Sequence, residues 1–196
     1  MNSAIRLVYL ALIFSLIYLN NGHSQARFNL KTGVGTWSIM DEINLGGKSQ
    51  HSGQTVGFDM HIMSNRFIFA PGFHYHRISV LNSQEGFQYS FHKRNHLHYF
   101  NIPMTAGYEL FDFKVVDLSI MAGAEAFFFY NLDSNDIGLK VDEMYGVTPA
   151  FTGIIQAEIF SLITVDIKYH HALHELIKDR KDSKLKGFTF DVGIIF

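Results

Sequence analysis

Strict alternation of apolar and polar residues is the feature that most constrains the fold of this chain. The C-terminal segment shows it best, because every second residue is apolar: Phe188, Phe190, Val192, Ile194 and Phe196. Side chains of a strand point alternately to opposite faces, so this segment has one apolar face. The pattern recurs in seven earlier segments, at about 27–39, 54–64, 66–80, 96–110, 113–130, 145–159 and 162–171. The sequence therefore predicts an all-β protein of about eight strands.

The segment 115–132 is long and mostly apolar, so a membrane-spanning helix is the alternative there. Asp117 and Glu125 argue against a helix, because each acid would cost roughly 2.5–3.5 kcal/mol in the middle of a bilayer. Both acids lie on the same face of the period-two pattern. A strand therefore explains the segment better.

The connections between the predicted strands alternate between long and short. Long connections span 40–53, 82–95, 131–144 and 172–186, and short turns lie near 64–66, 111–112 and 160–161. Outer-membrane barrels have long extracellular loops and short periplasmic turns. We therefore expect a closed, up-and-down antiparallel transmembrane β-barrel. Eight strands enclose only enough room for side chains, so no open pore is expected.

The polar faces of these strands predict a hydrogen-bonded lumen in which Lys31, Lys168 and histidines are the partners of acids. The predicted lumen residues are Asp59, His61, His74, His76, Glu109, Asp117, Glu125, Glu158, Asp166, Lys168 and Asp191. A soluble barrel would point its apolar residues inward instead. A soluble periplasmic barrel that binds an apolar ligand is therefore one alternative function.

Histidines recur at alternate positions, as in His74 with His76 and His96 with His98, and such pairs can hold a metal. A role as hydrogen-bond partners, with His96 and His98 at the outer rim, fits the pattern better. We expect no metal and no cofactor. The aromatic runs at 127–130 and 99–100 are typical of the aromatic girdle at a membrane interface.

The N-terminus has the pattern of an export signal. Arg6 precedes an apolar run of 13 residues, Leu7 to Leu19, and the small residues Gly22 and Ser24 suit cleavage after Ser24. Thirteen residues are few for a bilayer, which needs about 20. We expect residues 1–24 to be a signal peptide and residues 25–196 to be the barrel domain.

Composition excludes several classes of function. The chain has no Cys, which rules out a disulfide framework, a thiolate metal site and a lipid-anchored cysteine. Lys and Arg number 16 against 18 Asp and Glu, so no basic excess indicates a nucleic-acid partner.

A lipid A-modifying enzyme would need a serine, a histidine and an acid near the outer leaflet. Ser79 with His76 is a candidate pair, but G-x-S-x-G is absent, and we expect no enzymatic activity.

The segment from Tyr99 to Tyr108, with Ile102 and Pro103 inside it, resembles the Y-x-x-I-P-x-x-x-x-Y strand of the PorT-like outer-membrane barrels. The resemblance implies an eight-stranded barrel in the outer membrane of a Gram-negative bacterium, with a structural, envelope or secretion-assisting role. It implies no shared catalytic residues. The partners to expect are outer-membrane lipid, the barrel assembly machinery and a secretion-system or envelope protein. The alternating C-terminal segment that ends at Phe196 resembles the signal which that machinery recognises.

Overall fold

The computed structural model describes residues 25–39, 50–79, 96–133, 140–178 and 183–196. The predicted signal peptide, residues 1–24, lies outside these ranges, as do most of the predicted connection 40–53 and all of the predicted connection 82–95. Within the described ranges, no helix is both long enough and apolar enough to cross a membrane.

Eight antiparallel strands form one closed barrel, in which each strand pairs with the next and β1 pairs with β8. The strands are β1 (Gln25–Ile39), β2 (Gln50–Ser64), β3 (Phe67–Ser79), β4 (His96–Asp112), β5 (Val116–Leu132), β6 (Val147–Ile159), β7 (Ile163–Ala172) and β8 (Leu185–Ile195). The predicted fold class and all eight strands are confirmed. Most differences in bounds are small, and the largest is at β2, which begins four residues before the predicted start.

The short turns, the start of β1 and the end of β8 lie at one end of the barrel, which we call the periplasmic end. The strand ends that the long connections join lie at the other end, which we call the extracellular end. At the turn between β6 and β7, Phe160 and Ser161 have φ angles of 53° and 54°. Two successive positive φ angles are typical of the type I′ turn that joins adjacent antiparallel strands.

The outer surface of the barrel is apolar. In β8 the side chains of Phe188, Phe190, Val192 and Ile194 are exposed, whereas the intervening residues are buried inside. The other strands show the same arrangement, with exposed Leu30, Phe58, Met104, Ile155 and Ile167 among many others. An apolar surface that runs around a closed barrel suits lipid rather than water.

Closure leaves no free strand edge. Phe28 and Phe196 exchange two backbone hydrogen bonds of 2.9 Å at the periplasmic end, and the β1–β8 ladder continues to the pair Ile39 and Leu185. Backbone groups within a bilayer have no water as an alternative partner, so a spanning sheet must close in this way.

Candidate functional site: a filled barrel interior

The middle of the barrel holds a network of buried charges. We call Lys31, Asp59, Asp166, Lys168 and Asp191 the central network. Lys31 Nζ lies 2.7 Å from Asp59 and 2.5 Å from Asp166, and Lys168 Nζ lies 3.0 Å from Asp191. These contacts join β7, β8, β1 and β2, which are four consecutive strands of the closed barrel.

Two further side chains contact the carboxylates of Asp59 and Asp166. His74 Nε2 is 2.7 Å from Asp59, and Gln156 donates a hydrogen bond of 2.8 Å to Asp166. The network holds three carboxylates against two ammonium groups, so these N–H groups offset part of the excess negative charge. Buried charges are tolerated only when they are paired and hydrogen-bonded, and these are.

Glycines opposite two of the acids make the room for them. A Cβ atom at Gly72 would lie 2.1 Å from Asp59, and one at Gly33 would lie 2.0 Å from Asp191. Gly72 and Gly33 are the cross-strand partners of those two acids. A glycine at an inward position opposite an acid is thus a sequence signal for a buried carboxylate.

A second polar group lies nearer the extracellular end. Glu125 accepts a hydrogen bond of 2.9 Å from Asn101 and lies 2.8 Å from His170 Nδ1. The other nitrogen of His170 is 3.2 Å from the Thr189 hydroxyl. The cavity between this group and the central network measures about 10 Å³, which is room for about one water molecule.

The structure places the predicted lumen residues as follows. Nine are buried in the interior: Asp59, His61, His74, His76, Glu125, Glu158, Asp166, Lys168 and Asp191. Glu109 and Asp117 are half-buried near the periplasmic end. In the same region Glu158 forms a two-pronged ion pair with Arg27, with contacts of 2.6 and 2.9 Å. The pattern analysis did not name Arg27 as a partner.

The extracellular half of the interior contains a large apolar cluster, which the polar-face pattern did not predict. We call its buried residues the apolar cap: Trp37, Ile78, Leu97, Tyr99, Phe127, Leu132, Met144, Ala150, Ala172, Leu176, Ile177 and Leu185. Trp37 is at its base, where its indole stacks on His170 with 5.0 Å between ring centroids. A Cβ at Gly53 or at Gly187 would lie 2.5 Å from that indole, so both glycines make space for it.

Two connections cover the cap. The residues before β6, including a 3₁₀ turn at Val141–Glu143, bind the segment after β7 through Tyr145 N–Leu176 O (3.0 Å) and Lys178 N–Glu143 O (2.7 Å). Met144 and Ile177 pair as an isolated bridge, and both are buried in the cap. These connections therefore close the extracellular end over part of the lumen.

Two sequence-based interpretations require correction. Tyr99 and Phe127 belong to runs that were assigned to the interfacial girdle, but both are buried inside the barrel. Tyr99 is two residues from Asn101 and Phe127 is two residues from Glu125, so each points inward with its polar neighbour. Because both are aromatic, the search for polar faces did not identify them as lumen residues. In contrast, Phe128 and Tyr130 are exposed on the outer face.

The candidate pair Ser79 and His76 is not formed, because residues three apart on a strand point to opposite faces. Ser79 instead lies opposite His96 across β3 and β4, and His96 Nδ1 is 3.3 Å from Asp133. The Ser79 hydroxyl makes no hydrogen bond within the described residues. In the same ranges, no group of three or more His, Asp and Glu residues has the arrangement of a metal site.

Solved structures with similar folds include bacterial outer-membrane proteins. Neisserial surface protein A (NspA) aligns with a TM-score of 0.53 at 11% identity, over 86% of this chain and 97% of that one. The outer membrane enzyme PagL aligns with a TM-score of 0.54 at 12% identity, over 85% and 98%. Ail, the attachment invasion locus protein of Yersinia pestis, aligns at 0.49 and 13% identity, over 88% and 99%.

No protein-family profile and no curated protein sequence matches the chain. At such low identities the likeness to NspA and PagL concerns the fold alone. The apolar outer surface, the closed ladder and the polar lumen agree with that fold. This chain therefore has the closed eight-stranded fold of bacterial outer-membrane β-barrels, with an outer face that suits lipid.

Proposed function

We propose that this protein is a barrel without an open pore that serves the cell envelope as a structural or interaction protein, in the manner of the PorT-like proteins that assist secretion. The observation that carries the proposal is the filled interior. Charged side chains pack in the middle of the barrel, and the apolar cap with its covering connections fills the extracellular half. A barrel of this kind has its outer face and its extracellular end available for partners.

The interior also argues against the ligand-binding alternative. Pockets for small molecules measure about 300–1,000 Å³, whereas the cavity beside the central network measures about 10 Å³. A soluble barrel would in addition expose its apolar outer surface to water, which soluble proteins avoid.

The lipid A-modifying alternative has one observation in its favour, which is the arrangement of Ser79, His96 and Asp133 at the extracellular rim. A nucleophilic serine needs a base within about 2.6–3.2 Å. Ser79 and His96 make no such hydrogen bond, and His96 Nδ1 also lies 3.2 Å from Arg77, a cation that competes for the same nitrogen. The interaction role therefore fits the rim better.

A deletion strain tests the proposal. We expect its secreted or outer-membrane proteins to change in abundance, while mass spectrometry finds its lipid A unchanged. Complementation with the wild-type gene and with a Ser79→Ala variant should restore the protein profile equally. Altered lipid A that Ser79→Ala fails to restore would establish the enzyme instead.

The proposal includes export by a signal peptide that is cleaved between Ser24 and Gln25. We expect N-terminal sequencing of protein extracted from outer membranes to begin at Gln25. An intact apolar run from Leu7 to Leu19 in that material would contradict cleavage.

A further inference from the structure

The outer face of β2, β3 and β4 changes character near the extracellular end. On each strand a polar residue lies nearer the extracellular end, and the next residue on the same outer face is apolar or aromatic. The pairs are Gln54 with Val56, Arg77 with Tyr75, and His98 with Phe100. Gln54 and His98 are both cross-strand partners of Arg77, so the three polar residues form one row.

This row lies at the upper margin of the bilayer. Arg77 is ten residues along β3 from Phe67 at the short turn. With a rise of about 3.3 Å per residue and a strand tilt near 40°, the height difference is roughly 25 Å, which equals the height of the apolar band on such barrels. The side chains of the row are therefore at the level of the lipid headgroups of the outer leaflet.

A groove of about 580 Å³ opens on the outer surface at this position, lined by Val34, Gln54, Val56, Tyr75, Arg77 and His98. Side chains of its wall contact one another and the adjacent rim: the Tyr75 hydroxyl bonds to His98 Nδ1, and His98 Nε2 lies 3.2 Å from Asp133. The valines and the Tyr75 ring give the groove an apolar side that continues into the lipid-facing surface.

Arg77 is the cation of this groove, and its hydrogen bonding is incomplete. One terminal nitrogen lies 3.2 Å from His96 Nδ1, while the buried Nε has no hydrogen-bond partner within the described residues. A guanidinium has five N–H donors, and an anionic oxygen in the groove would accept charge-assisted hydrogen bonds from those on the terminal nitrogens.

We propose that this groove binds a phosphorylated glycolipid of the outer leaflet, with a phosphate on Arg77, an adjoining polar group on Gln54 and an acyl chain along Val56 and Tyr75. The site faces lipid, so a membrane amphiphile reaches it directly from the bilayer. The cation above and the apolar residues below match the order of headgroup and acyl chain in the outer leaflet.

Native mass spectrometry of the full-length protein tests the site. The protein is incubated in detergent with bis-phosphorylated lipid A, with dephosphorylated lipid A, or with the former plus millimolar inorganic phosphate. We expect wild type to retain the phosphorylated form about tenfold better than the dephosphorylated form. Inorganic phosphate alone should not displace it.

The Arg77→Gln variant should lose this preference for the phosphorylated lipid. Lys186→Gln, which removes a cation from the outer face of β8 one position above Phe188, should keep it. Gln54→Leu, at an exposed position, serves as a second variant should Arg77→Gln fail to fold, and it should lower retention about threefold. The proposal is overturned if wild type shows no preference, if both charge variants lose retention equally, or if inorganic phosphate displaces the lipid and so identifies a site for free anions.

Discussion

Lys31 is the residue on which the charge balance of the interior depends most directly. Replacing it with methionine would remove the nearer of the two ammonium groups from Asp59 and Asp166, and would leave only Lys168, whose Nζ lies 3.8 and 3.6 Å from them. We expect Lys31→Met to lower the free energy of unfolding by about 3–5 kcal/mol, measured by urea titration of the protein in lipid vesicles.

Two further variants define this effect. Lys114→Met, at an exposed position in a short turn, should change stability by no more than about 0.5 kcal/mol. The double variant Lys31→Met with Asp166→Asn should recover part of the loss, because one uncompensated charge is removed. Equal effects of Lys31→Met and Lys114→Met would show that the central network contributes nothing specific.

Trp37 reports on the packing of the apolar cap, because it is the one tryptophan in the sequence. Adding a methyl group at Gly187 would press on its indole, so Gly187→Ala should cost about 1–3 kcal/mol and shift the emission of Trp37 to longer wavelength. Gly146→Ala is the control, since a Cβ there would meet no atom of the described residues within 4 Å. An unchanged emission spectrum in Gly187→Ala would contradict the packing described for the cap.

For single residues, the sequence predicts which face of the sheet a side chain lies on better than it predicts which side chains touch. Alternation indicated that Asp166, Lys168 and Asp191 share one face, and all three are buried. The contacts of Lys31 with Asp59 and Asp166 could not be predicted, because they depend on how far the strands are staggered when the sheet closes. Trp37 was missed for a different reason: its glycine neighbours Gly53 and Gly187 are on other strands.

Among the elements, β8 has a special position because it closes the barrel against β1. Phe196 exchanges two backbone hydrogen bonds with Phe28, and the two rings stack with centroids 6.4 Å apart. We propose that the outward row of β8, from Phe188 to Phe196, is also the signal that the assembly machinery recognises.

Deletion of Phe196 should therefore reduce the yield of folded barrel in the outer membrane while export to the periplasm continues. Heat-modifiable gel mobility of membrane fractions measures the folded yield. Phe160→Ala, which truncates an exposed aromatic residue in a short turn, should leave the yield unchanged. A normal yield of folded barrel without Phe196 would show that this residue is not part of the assembly signal.

Strand β7 tests which face of the sheet contacts lipid. Ile167, in the middle of the strand, is exposed on the outer face, and so is Leu162 in the turn before it. Ile167→Arg should cost about 2–4 kcal/mol near the bilayer midplane, whereas Leu162→Arg should cost about 0–1 kcal/mol at the interface. Unfolding titrations in lipid compare the two variants, and equal tolerance of both arginines would indicate that the outer face is in water.

The elements were the most predictable level of the structure. The period of two and the alternation of loop lengths were enough to indicate eight strands, because lipid on one side and polar side chains on the other impose alternation along each strand. Strand ends were less predictable. β2 extends back to Gln50 because its first residues pair with Ser38 and Trp37 of β1, a partnership that its own polar sequence does not indicate.

For the whole molecule, the central claim is that the barrel crosses the outer membrane without an open pore. Side chains of the central network and the apolar cap occupy the interior, and the covering connections lie over the cap. Filling of this kind is expected for a barrel of eight strands. On the proposed function, partners would bind at the outer face and the extracellular end.

Electrical recording across a planar lipid bilayer tests this claim most directly. The purified protein is incorporated in its folded form, which heat-modifiable gel mobility identifies, and the current is recorded at both polarities. The structure predicts a current that remains at the baseline of the protein-free bilayer. Stable, repeated conductance steps in such preparations, absent when a denatured sample is added, would contradict a filled interior.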